Sequence, residues 1–158
     1  MKGKNNGSGI IEVVVGLAII SVGIFSILRT YNYYIKFAIA HRYDVQLALL
    51  AEEGIEAVKL LRDTGWATKI TPLSSGTNYS LAYATSSWAS TTTIKYIDGR
   101  FNRTFILSDV YRDSNDRIAS SGTLDPNTKK VIVSVFARNI LATTTKSIST
   151  YITNIFGN

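Results

Sequence analysis

Cysteine is absent from the 158-residue chain, which excludes disulfide scaffolds, zinc–thiolate sites and thiol nucleophiles together. Proline is almost absent: its two copies are Pro72 and Pro126, so no proline breaks a helix in the first 71 residues. The single histidine, His41, lies among alanines on a predicted helix, and no serine or aspartate can be paired with it from the sequence. We therefore expect neither catalysis nor a cofactor.

Strong charge clustering is also missing. The net charge is +6, but the longest basic run is the pair Lys129-Lys130, which favours a solvated surface over a nucleic-acid or lipid patch. A hydrophobic content of 46% excludes a disordered chain, and the length fits one domain with at most an appendage.

The most unusual feature is a long apolar run that contains one carboxylate. Residues 8–28 carry no charge except Glu12, and the next charge is Arg29. About 20 apolar residues span a bilayer, and the preceding Lys2 and Lys4 fit the cytoplasmic side. The run therefore predicts a membrane helix, but it leaves Glu12 unexplained.

Two simpler interpretations of this run remain open. A secretory signal has a basic start, a short apolar stretch and a small-residue cleavage site, for which Ser21-Val22-Gly23 would serve. A plain single-pass anchor explains the length of the run. Neither of them accounts for Glu12, and the helical pattern continues past Gly23 without a break.

The first 64 residues predict one long helix, from about Gly9 to Thr64, closed by Gly65. Its 55 or so residues would extend roughly 80 Å, too far for a helix buried only in its own domain. One stripe recurs at steps of three and four and is expected to pack on a sheet from Leu47 to Leu61. The stripe comprises Tyr33, Lys36, Ala40, Tyr43, Leu47, Leu50, Gly54, Ala57 and Leu61.

The remainder predicts an antiparallel sheet. In the segment 130–138 the residues Val131, Val133 and Val135 face one way and Ile132 and Phe136 the other. A polar loop is predicted from Arg112 to Thr128, and Thr85–Thr93 is predicted as loop or strand edge. The strong strands are Phe101–Tyr111, Lys130–Arg138 and Lys146–Phe156, the weak ones Thr77–Ala84 and Thr92–Ile97, with a turn at Asp98-Gly99. We therefore predict an α+β fold, a ladle in which a long N-terminal helix packs on a small antiparallel sheet and its apolar half protrudes.

A short polar leader ends in Gly7 and is followed by "SGIIEVVVGLAII" from Ser8 to Ile20. This order resembles the class III signal of type IV pilins and pseudopilins. In that family a prepilin peptidase cuts after the leader glycine and methylates the new amine, and the fifth mature residue is acidic. The resemblance implies cleavage between Gly7 and Ser8, N-methylation of Ser8 and a role in assembly for Glu12. Ser8 stands where the family usually has a large apolar residue.

The resemblance also implies a domain plan and a set of partners. Residues 1–7 would be the leader peptide, 8–29 the transmembrane and filament-core helix, and 30–158 the head domain. The chain would enter the cytoplasmic membrane with its N-terminus in the cytoplasm and then join an extracellular or periplasmic filament. Its partners would be other subunits, the prepilin peptidase, the inner-membrane assembly platform and, before assembly, lipid. The later segments Ala51–Asp63 and Arg100–Asp113 look more like a minor subunit than an abundant one.

The resemblance implies a role for the Glu12 carboxylate. Ser8 and Glu12 are one helical turn apart, so the carboxylate can meet the new amine of its own chain or of a neighbour. Gly16 and Gly23 lie seven residues apart on one face and permit close helix packing, although ordinary small residues of a membrane helix would look the same. The alternative is a single-pass anchored binding domain that does not polymerise.

Two further binding hypotheses concern the head. Asp109, Asp113 and Asp116, with Asp125, offer oxygens for Ca²⁺, but their spacing matches no calcium loop, so turn formation is favoured and no metal is expected. An aromatic–basic mixture suits single-stranded DNA, although aromatic residues of small sheets usually belong to the core. The mixture comprises Tyr79, Tyr83, Trp88 and Tyr96 with Lys95 and Arg100.

Overall fold

The computed structural model describes residues 6–138 and 145–157, with side chains from Gly9 onward. The chain divides into two compact units, Met1–Arg42 and Tyr43–Asn158. The first helix, α1, runs from Asn6 to Thr64 and contains the boundary between them. It ends where the sequence predicts, because the Gly65 N–H is hydrogen-bonded to carbonyls of the last turn, with N···O distances of 3.3 Å.

The second unit contains the C-terminal part of α1, a short π-helix and an antiparallel sheet. The π-helix covers Trp66–Ile70. The strands are β1 (Tyr79–Ala84), β2 (Ser87–Thr91), β3 (Tyr96–Ile97), β4 (Phe101–Arg112), β5 (Ile118–Ala119), β6 (Thr123–Ala137) and β7 (Thr145–Thr153). Within the described residues the main strand order is β2-β1-β4-β6-β7, and β3 and β5 each pair with β4. All these pairings are antiparallel, so the predicted α+β class is confirmed.

The core of this unit lies between α1 and one face of the sheet. Leu47, Ala51 and Val58 on the helix are fully buried in the same cluster as Phe105 and Val131 on the sheet. Burying a large aliphatic or aromatic side chain contributes about 1.5–3 kcal/mol. The stripe predicted to pack from Leu47 to Leu61 is therefore confirmed.

The alternation predicted along β6 is also confirmed. Val131, Val133 and Val135 are fully buried, while Ile132 is half-buried and Phe136 exposed. The same period on β4 buries Phe101, Phe105 and Leu107, but one member of that buried face is charged: Arg103.

Gly54 permits the close approach of α1 to the sheet. A Cβ placed on it would lie 2.6 Å from Cγ1 of Val133 and 2.9 Å from Cδ of Arg103. Real Cβ atoms essentially never show such distances, so a side chain at this position would force the neighbouring side chains, the helix or the sheet to shift.

The predicted polar loop from Arg112 to Thr128 is wrong in part. The segment Arg112–Thr128 was predicted as a loop, but Ile118–Ala119 forms β5 and β6 already begins at Thr123. The register shifts between Asp109 and Val110, and this bulge accommodates the turn residues around Pro126 without ending the strand.

The weak strand predicted at Thr92–Ile97 is mostly absent, and only Tyr96–Ile97 is extended and paired. Its place is taken by β2, which forms a hairpin with β1. Thr85 and Ser86 adopt positive φ angles of 52° and 65°, as a two-residue hairpin turn requires. Thr-Ser lacks the asparagine–glycine signature of such turns, so the turn is not predictable from these two residues. The predicted turn at Asp98-Gly99 is present, with positive φ at both residues.

Candidate functional site

The first unit presents an apolar surface that the described chain does not cover. Every isoleucine, valine, leucine and phenylalanine from Ile10 to Leu28 is 50 to 70% exposed. These side chains lie on all sides of the helix rather than on one stripe, and a helix that is apolar all round requires an apolar environment.

The dimensions of this surface match a bilayer. Gly9 to Leu28 comprises about 20 residues, which extend roughly 30 Å in a helix, the thickness of the hydrocarbon core. The segment is long and apolar enough to span a membrane, with a mean hydropathy of 2.6 in its most apolar window.

The hydroxyl groups of this segment are satisfied within the helix. Ser21 donates to the Leu17 carbonyl oxygen at 2.7 Å, and Ser26 donates to that of Val22 at 2.8 Å. Thr30 repeats the pattern just beyond the segment. Such bonds to the carbonyl four residues earlier remove the cost of placing a hydroxyl in hydrocarbon.

Glu12 is the exception. Its side chain is exposed, and among the residues whose side chains the structure describes none forms an ion pair with it. Gly7 and Ser8, the predicted cleavage and methylation positions, belong to α1, but the side chain of Ser8 lies outside the described part. The proposed pairing between Glu12 and the Ser8 amine therefore stays a prediction.

Gly16 and Gly23 serve no packing contact within their own unit. A Cβ placed on either would meet no atom of the described residues within 4 Å. Their spacing of seven residues places them on one face of the helix. Any requirement for a missing side chain at these positions would have to come from a neighbouring molecule.

Aromatic and basic side chains follow the apolar segment. Tyr31, Tyr33 and Tyr34 are 63 to 68% exposed, and they lie between Arg29 and Lys36 along the helix. Tyrosine and basic residues are enriched at the edge of the hydrocarbon core, because their polar ends reach water there while the apolar parts of their side chains stay in the membrane. This end of the apolar segment has the composition of a membrane interface.

The aspartates considered for Ca²⁺ are engaged elsewhere. Asp113 accepts hydrogen bonds from the backbone N–H groups of Asn115 and Arg117. Asp109 accepts from Lys129 and from Ser75. In the described chain no three acidic, histidine or cysteine side chains converge as metal ligands.

Arg112 joins the other two acidic residues. Its guanidinium donates to Asp125 at 2.6 Å and lies 3.5 Å from Asp116. Hydrogen bonding to Arg112 holds the pKa of Asp125 below its ordinary value, and hydrogen bonding from Lys129 does the same for the pKa of Asp109. These carboxylates stabilise the β4–β6 end of the sheet.

The aromatic–basic mixture is divided by the fold. Tyr83, Trp88, Lys95 and Tyr96 line one open cleft of about 410 Å³. Tyr79 instead lies in the core, where its hydroxyl accepts a hydrogen bond from the Ser74 N–H at 3.0 Å. Arg100, on the turn before β4, does not line the cleft.

Arg103 is the cleft residue that the sequence reading missed. It lies in the cleft wall and is only 3% exposed. The signal was present in the sequence, because Phe101, Arg103 and Phe105 occupy one face of an alternating strand. A charged residue on the buried face of a strand predicts either a buried ion pair or a binding group.

Comparison with protein-family models, with curated proteins and with solved structures gives no match to this chain. The long apolar helix and the antiparallel sheet packed on its C-terminal part are a pilin-like architecture.

Proposed function

We propose that the chain is a structural subunit of a type IV pilus or a type II secretion-like pseudopilus, and a minor one by its later segments. It would be inserted as a prepilin, cleaved after Gly7 and N-methylated at Ser8. It would then be assembled through its apolar helix, with Glu12 pairing to the N-terminal amine of a neighbour. It would have no catalytic role.

The observation that carries this proposal is the uncovered apolar surface with one carboxylate near its start. A membrane explains the apolar surface from Gly9 to Leu28, and the self-satisfied hydroxyls of Ser21 and Ser26 agree with it. A membrane alone does not explain Glu12, because a plain anchor gains nothing from a charge.

The energetics favour a partner for Glu12. A charged side chain at the centre of a membrane helix costs about 2.5–3.5 kcal/mol on insertion scales, and less near the interface. Glu12 lies one turn from the predicted new N-terminus at Ser8, where the cost is reduced and an amine is within reach. Pairing with the amine of a neighbouring subunit would recover part of the cost and would select one stagger between subunits.

The test is the fate of a Glu12→Gln variant, which keeps the shape and removes the charge. Membrane insertion and leader cleavage should survive, because the helix becomes less polar. Recovery in the sheared-filament fraction should fall at least about tenfold, the effect of losing roughly 1.4 kcal/mol of pairing.

The matched control is Glu52→Gln. Glu52 is exposed on the same helix, beyond the apolar segment, and its loss should leave filament recovery unchanged. Because a subunit at the tip would tolerate the change better than one in the shaft, the equivalent change in the most abundant subunit is tested beside it. Normal recovery of the Glu12 variant in filaments would remove the role given to this residue.

A single-pass anchored binding domain is the second candidate, and the cleft beside Trp88 favours it. That function predicts the reverse for Glu12→Gln: no loss of activity and equal or firmer membrane retention. The same fractionation therefore separates the two functions.

A further inference from the structure

The cleft in the second unit has the composition of a small binding site. Three aromatic side chains line it, and two of them, Tyr83 and Tyr96, are 65% and 45% exposed. Its volume of about 410 Å³ is in the range of small-molecule pockets, which combine apolar walls with a few polar groups.

Arg103 supplies the polar floor of this cleft. One terminal nitrogen, Nη1, lies 3.0 Å from Oε2 of Glu53 and donates to the Leu50 carbonyl oxygen at 3.2 Å. The guanidinium stacks on Trp88, with Cζ 5.0 Å from the ring centroid. The Nε–H of Arg103 is buried and has no acceptor among the described residues. A guanidinium has five N–H donors, so this buried cation has unused donors.

The charges lining the cleft favour an anion. Arg103 and Lys95 contribute +2 and Glu53 contributes −1, which leaves +1. Lys95 is exposed and has no ion pair among the described residues. Glu53 is half-exposed beside Arg103, and it would repel a ligand that carries several negative charges in a row.

We infer that this cleft binds an aromatic carboxylate, with the carboxylate received by Lys95 and the Arg103 guanidinium and the ring lying against the exposed tyrosines. One net positive charge matches one carboxylate, and Arg–carboxylate pairs are strong and directional. Exposed aromatic rings supply the flat surface on which a second ring stacks. Such a group is found at the C-terminus of a peptide that ends in Phe, or in a free aromatic acid.

This inference is independent of filament assembly, because all the residues that carry it belong to the unit Tyr43–Asn158. Single-stranded DNA would stack on the same aromatic residues, but its negatively charged phosphates would be repelled by the Glu53 carboxylate. The single anion is therefore favoured, and nucleic acid becomes an outcome of the test.

The experiment uses the full chain in a neutral detergent and follows the fluorescence of Trp88, which lines the cleft. The other tryptophan, Trp66, is buried in the core and does not line it. The probes are N-acetylphenylalanine for a chain end and phenylacetate for a free acid. N-acetylphenylalaninamide is the neutral control, and a ten-residue oligothymidylate tests nucleic acid.

We expect saturable fluorescence changes with both carboxylates, and the tighter one names the source of the ligand. The neutral amide should bind at least about tenfold more weakly, because it loses the charge-assisted hydrogen bonds of the carboxylate. Lys95→Gln and Tyr96→Ala should each weaken binding about fivefold or more without changing the thermal unfolding temperature, since both side chains are exposed. The matched control is Lys130→Gln, at a different cleft, which should bind as wild type.

Three results would overturn the inference. The first is equal binding of the acid and its amide, which would make the cleft merely apolar. The second is tighter binding of the oligothymidylate with the same dependence on Lys95, which would assign nucleic acid. The third is no saturable change with either carboxylate.

Discussion

Gly54→Ala adds one methyl group at the point where α1 meets the sheet. The new Cβ would lie 2.6 Å from Cγ1 of Val133 and 2.9 Å from Cδ of Arg103. Arg103 has a long side chain whose methylene can shift, but Val133 is fully buried and branched at Cβ, so its rotation is restricted. The perturbation is therefore an overpacked helix–sheet contact.

Two opposing terms set the magnitude. Replacing glycine by alanine inside a helix stabilises it by about 0.8–1.0 kcal/mol, whereas an extra methyl in a packed core costs about 1–3 kcal/mol. With a contact as short as 2.6 Å we expect the core term to exceed the helix term, for a net loss of about 1 kcal/mol. A loss of that size lowers the unfolding temperature by roughly 4 °C in a domain of this size.

Thermal unfolding followed by circular dichroism in detergent measures the effect. Gly16→Ala is the matched control, because the same methyl at Gly16 meets nothing within 4 Å. Adding Val133→Ala should relieve the contact, so the two changes should be coupled favourably by about 1 kcal/mol in a double-mutant cycle. A Gly54→Ala variant as stable as wild type, or more stable, would show that the helix and the sheet are not in the close contact described.

Two further predictions concern the membrane helix and the sheet. Gly23→Ala should leave insertion and the unfolding of the second unit unchanged but reduce filament recovery if Gly23 faces a neighbour; equal recovery would remove it from the interface. The pKa values of Asp109 and Asp125 are lowered in the folded chain. Near the ordinary pKa of 3.8 the unfolded chain therefore binds more protons than the folded chain. The stabilisation that these carboxylates contribute above that pH is lost as the pH falls through their lower folded pKa values. Unfolding temperatures of wild type and Asp125→Asn should converge as the pH falls below the ordinary pKa of 3.8, and a constant difference from pH 6 downward would contradict this assignment.

Much of the fold was predictable because side-chain periodicity carries it. The stripe Leu47–Leu61 and the alternation of Val131, Val133 and Val135 each predicted a buried face, and the structure buries both. Helix and strand periods differ enough that patterns of this length identify the element and its inward side.

The errors arose where turn chemistry or a bulge replaced the usual signals. The β1–β2 hairpin turns at Thr85-Ser86, residues that rarely adopt positive φ, so no sequence rule marks it. Proline at residue 126 is ordinarily a strand breaker, yet the bulge at Asp109/Val110 lets β6 run past it. The π-helix at Trp66–Ile70 buries its two end residues, a tertiary contact that the local sequence does not encode.

The two candidate sites differ in how well the sequence alone predicts them. Glu12 is conspicuous because a lone charge in an apolar run needs no tertiary information to be noticed. The cleft is different, because Tyr83, Lys95 and Arg103 come from separate parts of the chain and only the strand pairing brings them together. Arg103 is recognisable in the sequence because it interrupts the alternating apolar positions of β4, but its pairing with Glu53 is not.

The central claim is that the chain is a processed filament subunit, and the mass of the intact native protein tests it most directly. We expect a chain that lacks residues 1–7, begins at Ser8 and is one methyl group heavier than the sequence from Ser8 onward. A membrane-bound protein that retains Met1–Gly7, or one cut after Gly23 as a secretory signal would be, would contradict it.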